Sequence, residues 1–434
     1  MSNNAQENVA VGDSMSEALL NVNKMLYKMP PALGITQRRN HRTDFFQRSV
    51  YTSGTMVLDC QLGSDFCDPK NSYIKWNIAV KGPGGLDTPA SFGTGSCANV
   101  INRVLVKTRT GKELCRLENA NLCIKYNQIY DCPNDWIDSV GKSQGYPDSG
   151  NAAAGTSDDV PSGGKTYILP LHCIPCFNTD KLLPPQLMEG IRIELLLEDP
   201  AVAFENSAAG GSLDVTSYEV SNPEIHWDAF DIADAYKRKI AEMASRQGLS
   251  LIHKEYFHSI VSSNQSNINF DIKKAATKAL KVKIITRRSS NVSDITLDGM
   301  ASDSYNYDKL QAHIGADYFP QQPITVDAPY GVNQNAEAYY NTIFACGKSN
   351  QCWYPPSVSP VQFSAADSSV KQNCMVAFNL NKSHVSDLQG YVVNTSRAIL
   401  VDLQQGVPQD VRLDVYLCHL RAAKVYTSNC EIRD

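Results

Sequence analysis

From about residue 50 onward the chain reads as short runs of aliphatic, aromatic and Thr residues, each closed by Gly, Pro, Asn, Asp or Ser. That texture predicts antiparallel β-sandwich structure. In the first half it predicts strands at 55–62 (TMVLDCQL), 72–80 (SYIKWNIAV), 100–108, 166–173, 191–198 and 215–227, with the first two paired across the turn-rich GSDFCDPKN. In the second half it predicts strands at 249–262, 268–272, 279–286, 375–380, 398–403 and 411–420.

Three segments carry the helical period instead. Met15, Ala18, Leu19, Val22, Met25, Leu26 and Met29 form one apolar stripe, opened by a Ser14/Glu17 capping box and stopped by Pro30 and Pro31. A helix ahead of the body has to bury that stripe, either on its own domain or on a neighbouring subunit or partner. Residues 232–247 place Ala233, Tyr236, Ile240, Met243 and Ala244 on one side and end at Gly248, close to the midpoint of the chain. A short helix with Tyr339, Tyr340, Ile343 and Phe344 on one face lies in a long connection. The polar, Gly-rich stretches 82–95 and 145–164 cannot contribute a core and are expected as surface loops.

The two halves echo one another in order. YILPLHC, a loop to Gly190, IRIELLLE and a strand ending near His226 and Trp227 match CMVAFNL, a loop to Gly390, RAILVDL and VRLDVYLCHL. Each half is therefore expected to be one eight-stranded roll of two sheets. The division is an arm with its helix at 1–45, a first roll at 46–231, a linker helix at 232–248 and a second roll at 249–434. With 434 residues the chain exceeds what a single core usually supports.

Composition narrows the function. At 42% hydrophobic and 20% charged the chain folds compactly, and a net charge of -5 gives no basis for tight nucleic-acid binding by counterion release. The one local basic cluster, Arg38, Arg39, His41 and Arg42, is a candidate contact for nucleic acid or anionic lipid, set against a salt-bridged surface patch. The polar start MSNNAQEN lacks a signal pattern, and no apolar run nears the roughly 18 residues a membrane crossing needs. Synthesis in the cytosol or nucleus is the expectation, with the 13 Cys as buried reduced thiols.

Three segments carry a family resemblance: GTMVLDCQLGSDFCDPKNSYIKW (54–76), HIGADYFPQQPI (313–324) and KLLPPQLMEGIRIELLLED (181–199). They resemble the first B and C strands, a Gly-x-x-Tyr-Phe-Pro-x-x-Pro element of the second roll, and the approach to the G strand of the first roll in double jelly-roll major capsid proteins. The resemblance is to the polinton-like virus, virophage and giant-virus-related lineages of double-stranded DNA viruses; residues 346–369 have no strongly matching stretch. It implies an all-β chain of two consecutive eight-stranded antiparallel jelly rolls, with an N-terminal amphipathic helix and short helices in connecting loops. It further implies a structural virion protein whose homotrimers form pseudo-hexagonal capsomers tiling an icosahedral shell. The implied partners are neighbouring capsomers and minor or penton capsid proteins, with an internal membrane or cement protein as candidate contacts of the arm, and no sequence-specific nucleic acid.

Candidate chemistry is sparse. Cys173 and Cys176 have the CxxC spacing of a redox dithiol or half a zinc site, but they follow a predicted strand and precede an Asn-Thr-Asp turn. The eight His are scattered singly; His172, His226 and His419 fall within strand patterns. Glu194 with Glu198, and Asp402 with Asp414, could serve as an acid and base pair, yet interleaved charges suit a strand with one solvated face. GPGG and GTG lack the Lys and following helix of a phosphate loop. Sequons at Asn264, Asn291, Asn381 and Asn394 matter only in a secreted chain, and Trp353-Tyr354-Pro355-Pro356 is an aromatic loop that packs on its own sandwich or binds a glycan or neighbour. The expectation is no enzyme, and no catalytic, cofactor-binding or metal residue. The alternatives are a carbohydrate-binding or carbohydrate-active two-sandwich protein, and an accessory, minor capsid or scaffold double roll.

Overall fold

The computed structural model describes residues 36–147, 160–206, 215–304, 307–326, 335–348, 355–364, 372–381, 390–394, 397–405, 410–426 and 430–433. The amphipathic segment 15–29 and the Trp353-Tyr354 pair lie outside them.

In the first sandwich one sheet runs β1 (Thr36–Phe45), β11 (Ser217–Ile232), β4 (Phe66–Lys81) and β8 (Lys165–Pro170), with the two-residue β2 (Val50–Tyr51) also on β11. The second sheet runs β3 (Thr55–Asp59), β9 (Arg192–Leu197), β6 (Ile101–Lys107) and β7 (Glu113–Glu118). A small ribbon pairs β5 (Ala90–Ser91) with β10 (Glu205–Asn206). In the second sandwich one sheet runs β12 (Leu249–Ser263), β20 (Val411–Val425), β14 (Ala276–Arg288) and β17 (Met375–Asn379), carrying β18 (Tyr391–Val393) and β21 (Cys430–Arg433) at its sides. The other runs β13 (Asn267–Ile272), β19 (Ile399–Gln405), β15 (Tyr307–Ile314) and β16 (Asp317–Val326).

Setting aside the short β2, β5, β10, β18 and β21 leaves, among the described residues, eight strands per sandwich. Counted in chain order, the sheets of the first sandwich then read 1-8-3-6 and 2-7-4-5, and those of the second read the same. Every ladder is antiparallel. This is jelly-roll connectivity used twice, and it is the repetition anticipated from the echo between YILPLHC–IRIELLLE and CMVAFNL–RAILVDL.

Three expectations about strands are corrected. Residues 36–45, assigned to the arm, form β1, whose register pairs Arg39 with Phe230 and Phe45 with Glu224. TQRRNHRTDF shows no apolar alternation because β1 is a charged edge strand; ion pairs from Arg39 to the buried Asp228 (2.7 Å) and from Arg42 to Asp65 (2.7 Å) hold it. The basic cluster is thus largely spent on carboxylates of its own sandwich. Second, 55–62 and 72–80 are not a pair: β3 pairs with β9, while β4 sits between β11 and β8. With β1 ahead of them, segment 54–76 supplies the second and third strands, and 181–199 leads into the seventh rather than the sixth. Third, β7, β15 and β16 were not anticipated. In β16 the two prolines of DYFPQQPITV hide the strand, and they are tolerated because it is an edge.

Inside the sandwiches the alternating strand residues meet. Trp76, Trp227, Tyr167 and Tyr218 fill the first, and Val282, Leu310, Val401 and Val415 belong to the second, all essentially buried and part of one continuous cluster. The connections make close backbone approaches. A Cβ on Gly390 would lie 2.5 Å from the carbonyl oxygen of Ala279, whose residue pairs with Tyr391 in β18. Gly390→Ala is expected to pry β18 from β14 at a cost of about 1–3 kcal/mol; an unchanged urea midpoint would contradict this.

Candidate functional site at the seam between the sandwiches

The structure places its most concentrated buried polar chemistry between the two rolls. Helix α1 (Ala120–Asp131) follows Asn119, which turns the chain in the left-handed region at φ 47°, and ten of the twelve residues of the helix are buried. The helix packs on the 3-10 turn Cys97–Val100 and on β6 of the first sandwich, while a polar row crosses to the second. Lys125 donates to the Met300 carbonyl at 2.6 Å and to Thr94 Oγ1. Tyr126 donates to Ser302 Oγ. Tyr130 donates to the Asn373 carbonyl at 2.8 Å and accepts from the Met375 amide at 3.3 Å. The Lys283 ammonium reaches back to Asn127 Oδ1, and burial pushes the Tyr126 and Tyr130 phenols well above their ordinary value.

Beside the helix sits a charged centre. Asp414, on β20, accepts from Arg287 Nε at 2.9 Å and Nη2 at 2.6 Å, from His258 Nε2 at 3.0 Å, and from Asn119 Nδ2 of the first sandwich at 2.9 Å. The third guanidinium nitrogen of Arg287 donates to the Gly299 carbonyl at 2.8 Å, and the side chains of Arg287 and Asp414 are 3% and 0% exposed. Burial alone would raise the Asp414 carboxyl; Arg287, His258 and Arg412 outweigh it and hold the group well below the usual carboxylate range. A second buried carboxylate, Glu255 on β12, accepts from the Arg116 amide of β7 at 3.1 Å and from Arg421 at 2.8 Å. Sliding one roll on the other would break the bonds that cross the seam, from Lys125 to the Met300 carbonyl, from Asn119 to Asp414 and from the Arg116 amide to Glu255, so these contacts favour one placement of the pair.

A cavity of about 450 Å³ opens along the same seam, lined by Asn127, Cys132, Trp136, His172, Cys173 and Tyr256 among others. None of these groups is activated for attack. Burial raises the Cys132 thiol to about 11 and pushes Cys173 higher, and it lowers His172 so that the imidazole stays neutral. Cys176, the other half of the CxxC, is buried beside Cys115 and likewise raised. A reactive dithiol needs the opposite displacement. In the native protein, iodoacetamide is therefore expected to leave Cys173 and Cys176 unmodified while urea-unfolded chains label fully; rapid native labelling of either, read by peptide mass spectrometry, would overturn this.

The remaining candidates are dispersed. Glu194 accepts from Lys107 at 2.9 Å, and Glu198 from Asn102 at 2.8 Å and Asn121 at 2.9 Å, so both are structural acceptors of the first roll. Asp402 and Asp414 stand on strands of opposite sheets, β19 and β20. His172 lies in a 3-10 turn rather than a strand; His226 stacks on Tyr73 at 4.8 Å beside Glu224, and His419 is buried 3.8 Å from Glu255. Among the described residues no group of three or more His, Cys, Asp or Glu could hold a metal ion, and no helix is long and apolar enough to cross a membrane.

The seam itself was not legible. Because α1 is covered on nearly all sides it lacks an amphipathic stripe, and Lys125 and Gln128 break what apolar pattern remains. The one available signal was Tyr126, Ile129 and Tyr130, spaced as one helical face after the Glu118-Asn119 turn.

No family model and no curated protein matches this sequence. Solved structures do match in fold over nearly the whole chain. The Faustovirus major capsid protein superposes with a TM-score of 0.59 at 9% identity, covering 96% of this chain and 98% of its own. A chain of the Sputnik virophage structure gives 0.59 at 10% identity, over 94% and 90%. The mavirus major capsid protein gives 0.54 at 9% identity, over 94% and 92%. The chain thus has the double jelly-roll fold of these viral proteins.

Proposed function

We propose that this chain is the major capsid subunit of an icosahedral double-stranded DNA virus, a structural rather than catalytic protein. Three copies would form a pseudo-hexagonal capsomer, each supplying two of six rolls. The single observation that carries the reading is the duplication of 1-8-3-6 and 2-7-4-5 connectivity within one chain. Two similar rolls side by side let a threefold oligomer present six nearly equivalent edges, which is what packing in a shell demands. The charged seam supports the same reading, because a tile has to keep its two halves in one orientation.

On this reading the chain resides in the virion and contacts neighbouring capsomers and minor or penton proteins. Its chemistry is that of surfaces, not of a cleft: the seam cavity holds raised thiols and a neutral His in place of an activated pair. The test is quantitative mass spectrometry of purified particles. A major shell protein is their most abundant polypeptide; a few copies per particle would make this chain an accessory double roll, and absence from particles together with glycan binding would favour the carbohydrate reading.

A further inference from the structure

The linker helix α2 (Asp234–Arg246) has an uncovered apolar face. Its only buried residue is Ala244; Met243 is 45% exposed, and Tyr236 and Ile240 are only half-buried. Those side chains share one side of the helix at 3.6-residue spacing. A helix with that pattern ordinarily buries its stripe against something.

The chain itself supplies an occupant. Strand β1 is antiparallel to β11, and its first residue, Thr36, pairs with Ile232, two residues before α2 begins. Residues 1–35 therefore enter the body beside the N-terminal end of α2. The apolar stripe from Met15 to Met29 is joined to that point by Pro30 to Ile35, a tether that spans up to about 20 Å. A 13-residue helix is itself about 20 Å long. The tether thus keeps the stripe within reach of α2, and an antiparallel docking puts Met29 near Asp234 and Met15 towards Arg246.

The charges at the two ends agree with that direction. The α2 segment holds four basic side chains, Lys237, Arg238, Lys239 and Arg246, against Asp234 and Glu242, whereas residues 1–35 hold Glu7, Asp13 and Glu17 against Lys24 and Lys28. Antiparallel packing brings Glu17 to the Arg246 end and Lys28 to the Asp234 end and opposes the two helix dipoles, while it sets Lys24 beside Lys239. Lys237, the basic residue nearest that entry point, is already taken by Asp231 at 2.5 Å.

We propose that residues 15–29 dock as an antiparallel helix on the Tyr236–Ile240–Met243 face of α2 in their own chain. This stands independently of the coat-protein reading. The test is amine crosslinking of the full-length protein, refolded together from unfolded ¹⁴N-labelled and ¹⁵N-labelled preparations so that any oligomer carries both labels, with peptides identified by mass spectrometry. The expected products join Lys24 or Lys28 to Lys237 or Lys239 with a single isotope label. Mixed-label products would assign the arm to a neighbouring copy and overturn the proposal, as would absence of any such link. In parallel, Ile240→Asp with Met243→Asp is expected to speed tryptic cleavage after Lys24 and Lys28 by about tenfold, with other sites unchanged. Because both substituted side chains lie on the helix surface, the rolls should remain folded; an unchanged cleavage rate would overturn the proposal.

Discussion

Replacing Asp414 with Asn is expected to destabilise the protein by about 3–5 kcal/mol, because it removes the carboxylate that pairs with the buried Arg287 guanidinium and leaves that charge uncompensated. The partly exposed Arg412 would add positive charge to the same pocket instead of relieving it. The measurement is the urea midpoint and slope of the variant against the parent. Arg287→Met combined with Asp414→Leu should be more stable than either single change, since it withdraws both charges together; a double variant worse than both singles would contradict the assignment. The pH dependence follows from the sign of the shift. Asp414 is held below its unfolded value of about 3.9, so its contribution is complete above that value and is lost as pH falls below it. The parent should therefore lose stability on acidification below about pH 4 more steeply than Asp414→Asn.

Tyr130→Ala is expected to cost about 3–5 kcal/mol, the range for emptying a large buried aromatic site. The position adds a second consequence. Tyr130 is anchored in the first roll through α1, and its hydroxyl bonds both the carbonyl of Asn373 and the amide of Met375 in the second. Its loss should uncouple the rolls, so that calorimetry resolves two transitions where the parent gives one. Tyr130→Phe, which keeps the ring and strands only those two backbone groups, should cost about 1–3 kcal/mol. A single transition with the parental midpoint in Tyr130→Ala would remove the seam from the account.

Much of this architecture was legible because strands report their faces. The sixth, seventh and eighth strands of each roll alternate or are continuously apolar, and their repeated order exposed the duplication. What escaped was structure whose burial is decided by something other than its own face. β1 is polar up to its last residue, Phe45, and is held at an edge by Arg39 on Asp228 and Arg42 on Asp65. β20 is buried on both faces because the other roll covers its outer side, so Asp414 looked in sequence like a solvated strand carboxylate. Helix α1 failed for the same reason, since a helix enclosed on nearly all sides has no polar face to set a period. The seam is made by the meeting of two rolls, and that meeting has no local signature in either.

The central claim is that one chain doubles a jelly roll so that three copies imitate a hexagon. Sedimentation with single-particle imaging of the purified full-length protein tests it most directly. The account predicts a species of three times 47.8 kDa whose projections show six lobes with threefold symmetry. A stable monomer, or a ring built from any other number of chains, would contradict it.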